Sequence, residues 1–175
     1  MKTLLALATA ALILLPGQAA AQGGRIIEKG ALAGKDALSI NYSAPMVKGR
    51  KVFSAEGPIA KDPNYPVWRA GANSATALHT EMDLDIGGLT VPKGDYTLYV
   101  NLKDVNNWEL IINKQTGQWG LTYSAAQDLG RVKMTMAKPA ASVEALKYTI
   151  SAAGKTGKIT LEWENYSASV NIAAK

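Results

Sequence analysis

Apolar residues recur at every second position along most of the chain, the period of a strand that buries one face. Leu38, Ile40 and Tyr42 alternate with Ser39 and Asn41 until Pro45 ends the run. Leu78, Thr80, Met82, Leu84 and Ile86 alternate with His79, Glu81, Asp83 and Asp85, which predicts one amphipathic strand with its acidic set outward. Gly87-Gly88 then supplies the two positive-φ positions of a tight hairpin turn. Pro92-Lys93-Gly94-Asp95 turns into a further strand through Tyr96, Leu98 and Val100.

The pattern continues in the second half. Trp108 to Ile112 and Trp119 to Tyr123 read as strands joined by the Lys114-Gln115-Thr116-Gly117 turn. Val132, Met134 and Met136 alternate with Arg131, Lys133 and Thr135. Leu146, Tyr148 and Ile150 lead through a Gly154 to Gly157 turn to Ile159, Leu161 and Trp163, and Asn165-Tyr166 turns towards Val170 and Ile172. Short strands at this spacing predict an all-β domain, an antiparallel β-sandwich (jelly-roll-like) or a flattened barrel, of about eight to ten strands. Ser124 to Leu129 and Ala140 to Leu146 each have room for a short helix. Trp108, Trp119 and Trp163 lie in or beside apolar strand patterns and are expected in the core.

Two stretches break the period. Residues 1–21 read as a cleavable secretory signal: Lys2 gives a positive start, and Leu4 to Leu15 is apolar but too short to span a bilayer. Pro16-Gly17 breaks the helix and Ala19-Ala20-Ala21 offers a cleavage site before Gln22. Residues 22–35 are then a lead-in, and 36–175 a single β domain, in a 175-residue chain whose remainder is of ordinary single-domain size. The second break is Ser54 to Pro66, rich in Gly and Pro. Its length and stiffness suit either a functional loop or the covering of a sheet edge.

Composition narrows the chemistry. The chain has no cysteine, hence no disulfides, no thiolate metal site, no cysteine nucleophile and no acylation site for a lipid anchor. No second apolar stretch reaches membrane-spanning length, so no span is expected after signal cleavage. The net charge of +5 is scattered. Lys48-Gly49-Arg50-Lys51 is the lone basic cluster, which argues against a nucleic-acid surface. His79, Glu81, Asp83 and Asp85 could share one side of a strand and offer oxygen ligands to a divalent cation, but such a row ordinarily keeps a strand soluble and unpaired. The single histidine stands apart from any Gly-x-Ser-x-Gly elbow, and phosphate-binding glycine loops are absent. No cofactor is implied.

Val67-Trp68-Arg69-Ala70-Gly71-Ala72-Asn73 follows the stiff loop. Together with Pro45-x-Val47-Lys48-Gly49-Arg50-Lys51, Pro92-x-Gly94-x-Tyr96, Ile112-Asn113-Lys114, Gln118-Trp119-Gly120 and Trp163-Glu164-Asn165, it makes the chain resemble a bacterial family known as domain of unknown function 2911, over roughly Asp36 to the C-terminus. The resemblance implies an exported all-β protein and brings no established reaction or ligand.

Within these motifs, Arg50, Trp68, Arg69 and Asn73 are the candidate ligand-binding set. Guanidiniums recognise carboxylate or phosphate, and an indole face beside an amide suits a sugar ring. The competing reading is scaffolding, with the arginines paired to Asp or Glu and Trp68 packed in the core. The residues favour a non-catalytic, exported domain, periplasmic or secreted, that binds a small polar ligand, a glycan or an envelope partner. The alternatives are a hydrolase acting on envelope or extracellular polymers, and a purely structural envelope protein.

Overall fold

A computed structural model describes residues 25–175. Residues 1–21, read above as a secretory signal, lie outside the described residues. The strands are β1 (Ile26–Leu32), β2 (Lys35–Tyr42), β3 (Val67–Trp68), β4 (Thr76–Thr80), β5 (Leu84–Ile86), β6 (Leu89–Val91) and β7 (Gly94–Asn101), followed by β8 (Glu109–Asn113), β9 (Asp128–Lys133), β10 (Thr135–Ala137), β11 (Val143–Ala153), β12 (Thr156–Glu164) and β13 (Tyr166–Ala174). No described helix is long and apolar enough to cross a membrane.

The strands form two antiparallel sheets. The first runs β1-β2-β4-β7-β8-β9, with β3 also on β7; the second runs β11-β12-β13-β5-β6, with β10 also on β13. They face each other as a sandwich, and the flattened-barrel alternative does not apply because no strand ladder joins the two sheets. Leu38, Ile40, Leu78, Leu98, Leu110 and Ile112 from the first sheet meet Leu84, Ile86, Tyr148, Ile159, Leu161 and Ile172 from the second in one buried cluster. The alternation named these inward positions because a strand shows every second side chain to the core.

Two glycines let the sheets close on each other along their long edges. A Cβ on Gly30 of β1 would stand 2.2 Å from Cγ2 of Ile150 in β11, and one on Gly130 of β9 would stand 2.7 Å from Cδ1 of Leu89 in β6. β1 shifts register at Gly30/Ala31, and the β8–β9 ladder shifts at Ile112/Asn113, opposite Gly130. Such irregularities bend a strand, and here they turn each outer strand onto the opposite sheet. Glu28 Oε1 also accepts the Ile150 backbone N–H at 3.1 Å.

Several expected elements differ. Leu78–Ile86 is not one strand: β4 ends at Thr80 in the first sheet and β5 begins at Leu84 in the second. Trp119 to Tyr123 is a turn rather than a strand, touching the sheet through an isolated bridge from Ser74 to Trp119. A 3-10 turn forms at Ala125–Gln127, inside one of the two expected helical stretches, while the other is irregular and runs into β11. The Gly87-Gly88 hairpin forms as read, with φ of 59° and 91°, joining β5 to β6 with Ile86 opposite Leu89. The lead-in contains β1, which pairs with β2 from Ile26 to Leu32.

Candidate functional site

At one end of the sandwich the connections are short turns apart from the β8–β9 loop (114–127). At the other, the chain between β2 and β3 (43–66), the β7–β8 loop (102–108), the β10–β11 loop (138–142) and Glu164-Asn165 crowd together. Beneath them five aromatic rings interlock. Trp68 stacks on Trp163 with centroids 5.7 Å apart, and Trp108 stacks on Tyr166 at 5.6 Å. Phe53 lies among them, 4.7 Å from Tyr166, 5.1 Å from Trp108 and 5.8 Å from Trp163. Two of the indoles satisfy their N–H groups on backbone: Trp108 Nε1 donates to the Val105 carbonyl at 2.8 Å and Trp163 Nε1 to the Glu144 carbonyl at 3.3 Å. Buried aromatic N–H groups need such partners.

Above this cluster opens a cleft of about 710 Å³. Phe53 and Tyr166, both partly exposed, line it together with Met136, and polar side chains ring it: Lys51, Asn106, Lys138, Glu164 and Asn165. Neither Lys51 nor Lys138 has a carboxylate within ion-pair distance among the described residues. A ring seated on the aromatic wall would meet amines, amides and one carboxylate at its rim. The hairpin carrying Glu164 holds that residue at φ 54°, in the left-handed region, and so brings Asn165 round to the cleft.

The four residues proposed from sequence do not share one surface. Arg50 is exposed and folds back on its own turn, donating through Nε to the Val47 carbonyl at 3.0 Å and through Nη2 to the Met46 carbonyl. Trp68 is 3% exposed and belongs to the aromatic cluster behind the cleft. Arg69 points to the other side of its strand, with Nη1 3.5 Å from the Asp62 carboxylate. Asn73 is exposed at φ 60°, and its carbonyl accepts from the Gly120 N–H at 3.1 Å. Arg69 and Asn73 do meet at Gly120, whose Cβ, if present, would lie 2.2 Å from Arg69 Cδ and 2.4 Å from the Asn73 oxygen.

The segment between them is a structural pin. The Ala70 carbonyl accepts from the buried Tyr148 hydroxyl at 3.0 Å and from Thr76 Oγ1 at 3.1 Å. Burial raises the Tyr148 phenol far above its ordinary pKa, so it stays a donor.

The outer face of the first sheet forms a second, smaller packed region under the loop 114–127. Val67, Ala75, Tyr99 and Ile111 are buried there beside Tyr123. Gln118 Nε2 donates to Tyr99 Oη at 3.0 Å and to Thr97 Oγ1 at 3.2 Å. Tyr123 donates to Asp128 at 2.8 Å and accepts from Arg131 Nη2 at 2.8 Å. Burial, reinforced by the hydrogen bond to Asp128, pushes the Tyr123 phenol up to about 12. Arg69 Nε, Arg69 Nη1 and Gln118 Oε1 are buried there without a hydrogen-bond partner among the described residues.

Trp119, expected in the core, is 54% exposed on this loop, while Trp108 and Trp163 are core as expected. The acidic row of the expected long strand is dispersed. His79 bridges Asp95 at 2.7 Å and Glu81 at 2.8 Å. Its pKa is raised, first by the hydrogen bond it donates to Glu81 and then by the one it donates to Asp95. Asp83 and Asp85 instead accept the backbone N–H groups of Lys93 and Gly88, each at 2.8 Å. Among the described residues no group of three or more His, Cys, Asp or Glu side chains is placed to hold a metal ion.

Phe53, Lys138 and Tyr166 were not singled out by sequence reasoning as site residues. Lys51 and Asn165 stood inside quoted motifs, but those motifs lie more than a hundred positions apart in the chain, and only strand pairing brings them to one end. No curated protein and no solved structure matches the chain. A family model does match, over residues 27–172, and the chain belongs to the family it describes, a protein of unknown function (DUF2911).

Proposed function

We propose that this is an exported, non-catalytic binding domain that holds a small polar ligand or glycan in the cleft at the loop end of the sandwich. The observation that carries the reading is the meeting, in one open cleft of about 710 Å³, of partly exposed Phe53 and Tyr166 with the amines of Lys51 and Lys138, which have no carboxylate partner among the described residues. That volume is within the range of ligand pockets, and apolar walls with a few placed polar groups are their usual make-up. The Tyr166 hydroxyl has no protein hydrogen-bond partner among the described residues, which leaves it available to a ligand. Export rests on the leader pattern of residues 1–21.

A binding role is favoured over hydrolysis by the cleft lining. Glycoside hydrolysis ordinarily uses two carboxylates about 5 to 10 Å apart, and Glu164 is the one carboxylate lining this cleft. The test is a thermal-shift screen of sugars, sugar acids and small carboxylates, followed by calorimetry on the hits. A ligand at a hundred times its Kd stabilises by about 2.7 kcal/mol, a rise of several degrees for a domain of this size. Lys51→Ala, at an exposed residue without an ion-pair partner among the described residues, should weaken binding while leaving the unliganded Tm in place. Tyr166→Ala should abolish it. A hit with the same Kd in both folded variants would move the site elsewhere.

A further inference from the structure

The cleft does not end at Phe53. Phe53 and Ser54 also line a second cleft of about 220 Å³, completed by Ile59, Tyr65, Leu102 and Lys103. Tyr65 is 49% exposed, although its backbone is held: its N–H donates to the Asp62 carbonyl at 2.9 Å, and the carbonyl of the next residue, Pro66, accepts from Leu102 at 2.8 Å. The Asn64 side chain donates to the Leu121 carbonyl at 2.8 Å and ties the same turn to the neighbouring loop. A half-exposed aromatic on a fixed backbone is a ready stacking surface, because little order is lost when a ligand covers it.

The two clefts repeat one chemistry on either side of a shared wall. Each offers a tyrosine, Tyr166 in one and Tyr65 in the other, and each offers amines without a carboxylate partner among the described residues: Lys51 and Lys138 in the first, Lys103 in the second. The larger cleft adds the amides of Asn106 and Asn165, which can pair with adjacent hydroxyls, and the second has no acidic side chain in its lining. Building on the binding reading above, we infer that the ligand is an acidic oligosaccharide of at least two rings. One ring sits on Tyr166 and another, across Phe53, on Tyr65, with the ring carboxylates facing the lysines. A neutral chain would use the stacking surfaces but leave the three amines without partners. A single sugar acid would fill one cleft alone.

The experiment is calorimetry of the purified protein with three probes: glucuronate, cellotetraose and the tetramer of β-1,4-linked glucuronate, which differs from cellotetraose by the C6 carboxylates. The charged tetramer should bind about tenfold more tightly than either of the others, as one added aromatic contact and its charge partner would give. Raising the salt should narrow its lead over cellotetraose. Tyr65→Ala and Lys103→Ala, both at surface positions, should each remove the advantage of the tetramer over glucuronate. Equal binding of the two tetramers, still lost in Lys51→Ala, overturns the acidic ligand while the first cleft stands. Tighter binding of a tetrathymidylate than of the glucuronate tetramer overturns the sugar. If none of the three sugar probes binds, the inference falls, and the wider ligand screen with Tyr166→Ala decides the reading beneath it.

Discussion

Gly120 occupies a point where a single methyl group has nowhere to go. Its Cβ would meet a backbone oxygen, that of Asn73, at 2.4 Å, as well as Arg69 Cδ at 2.2 Å. The arginine could shift, but the carbonyl is fixed by the bond it accepts from Gly120 itself. Gly120→Ala should therefore cost about 1–3 kcal/mol, the usual range for overpacking, measured by urea unfolding, with single-ring binding at the Tyr166 cleft retained. Stability equal to the parent would mean that the loop 114–127 is not held against the sheet as described. This residue also shows what sequence could not reveal. Trp119, Leu121 and Tyr123 alternate like a buried strand, yet they belong to a loop lying over the outer face. Tyr123 alone turns in to pack on Tyr99, 4.9 Å away. Period two reports an extended backbone and does not say which layer lies beneath it.

Along the elements, alternation was a dependable guide to the inward face and a poor guide to sheet membership, and both follow from one cause. Leu78, Thr80, Leu84 and Ile86 are all buried although the chain passes from one sheet to the other between Thr80 and Leu84. The two sheets share a core, so the pattern survives the crossing. β1 escaped notice for the opposite reason. Glu28 and Gly30 dilute its apolar side, and an edge strand has a neighbour within its sheet on one side only. Its closure on β11 is open to test. Gly30→Ala alone should destabilise by about 1–3 kcal/mol, because its methyl meets Ile150. Ile150→Ala alone should cost about 2–5 kcal/mol as a cavity. In the double variant the new methyl enters the space Ile150 vacated, so the loss should fall short of the sum by about 1 kcal/mol or more. Strict additivity would show that β1 does not close on β11 there.

Over the whole molecule, the proposed function separates a scaffold end from a recognition end. The tight-turn end relies on glycines in the left-handed region at Gly34 and Gly154, and it includes the Lys114 to Gly117 turn, where a Cβ on Gly117 would meet nothing within 4 Å. The loop end carries both clefts over the aromatic cluster. The stiff Ser54 to Pro66 segment was visible in the sequence through its Gly and Pro residues. Its partners were not, since Tyr166 and Lys138 reach the same end only after the second sheet has paired. An insertion should separate the two ends. Four Gly/Ser residues between Thr116 and Gly117 lengthen an exposed turn, and loop closure rises by only about 0.6 kcal/mol per doubling of length. Tm should drop slightly and cleft binding should keep its Kd. The same four residues between Ala55 and Glu56 leave the sheets paired but move Ser54 and Ala55 relative to Tyr65, so the gain in affinity from a second sugar ring should disappear while binding of a single ring persists. Equal loss of binding from both insertions would mean that the ligand contacts the fold as a whole, and the division between a scaffold end and a recognition end would have to be abandoned.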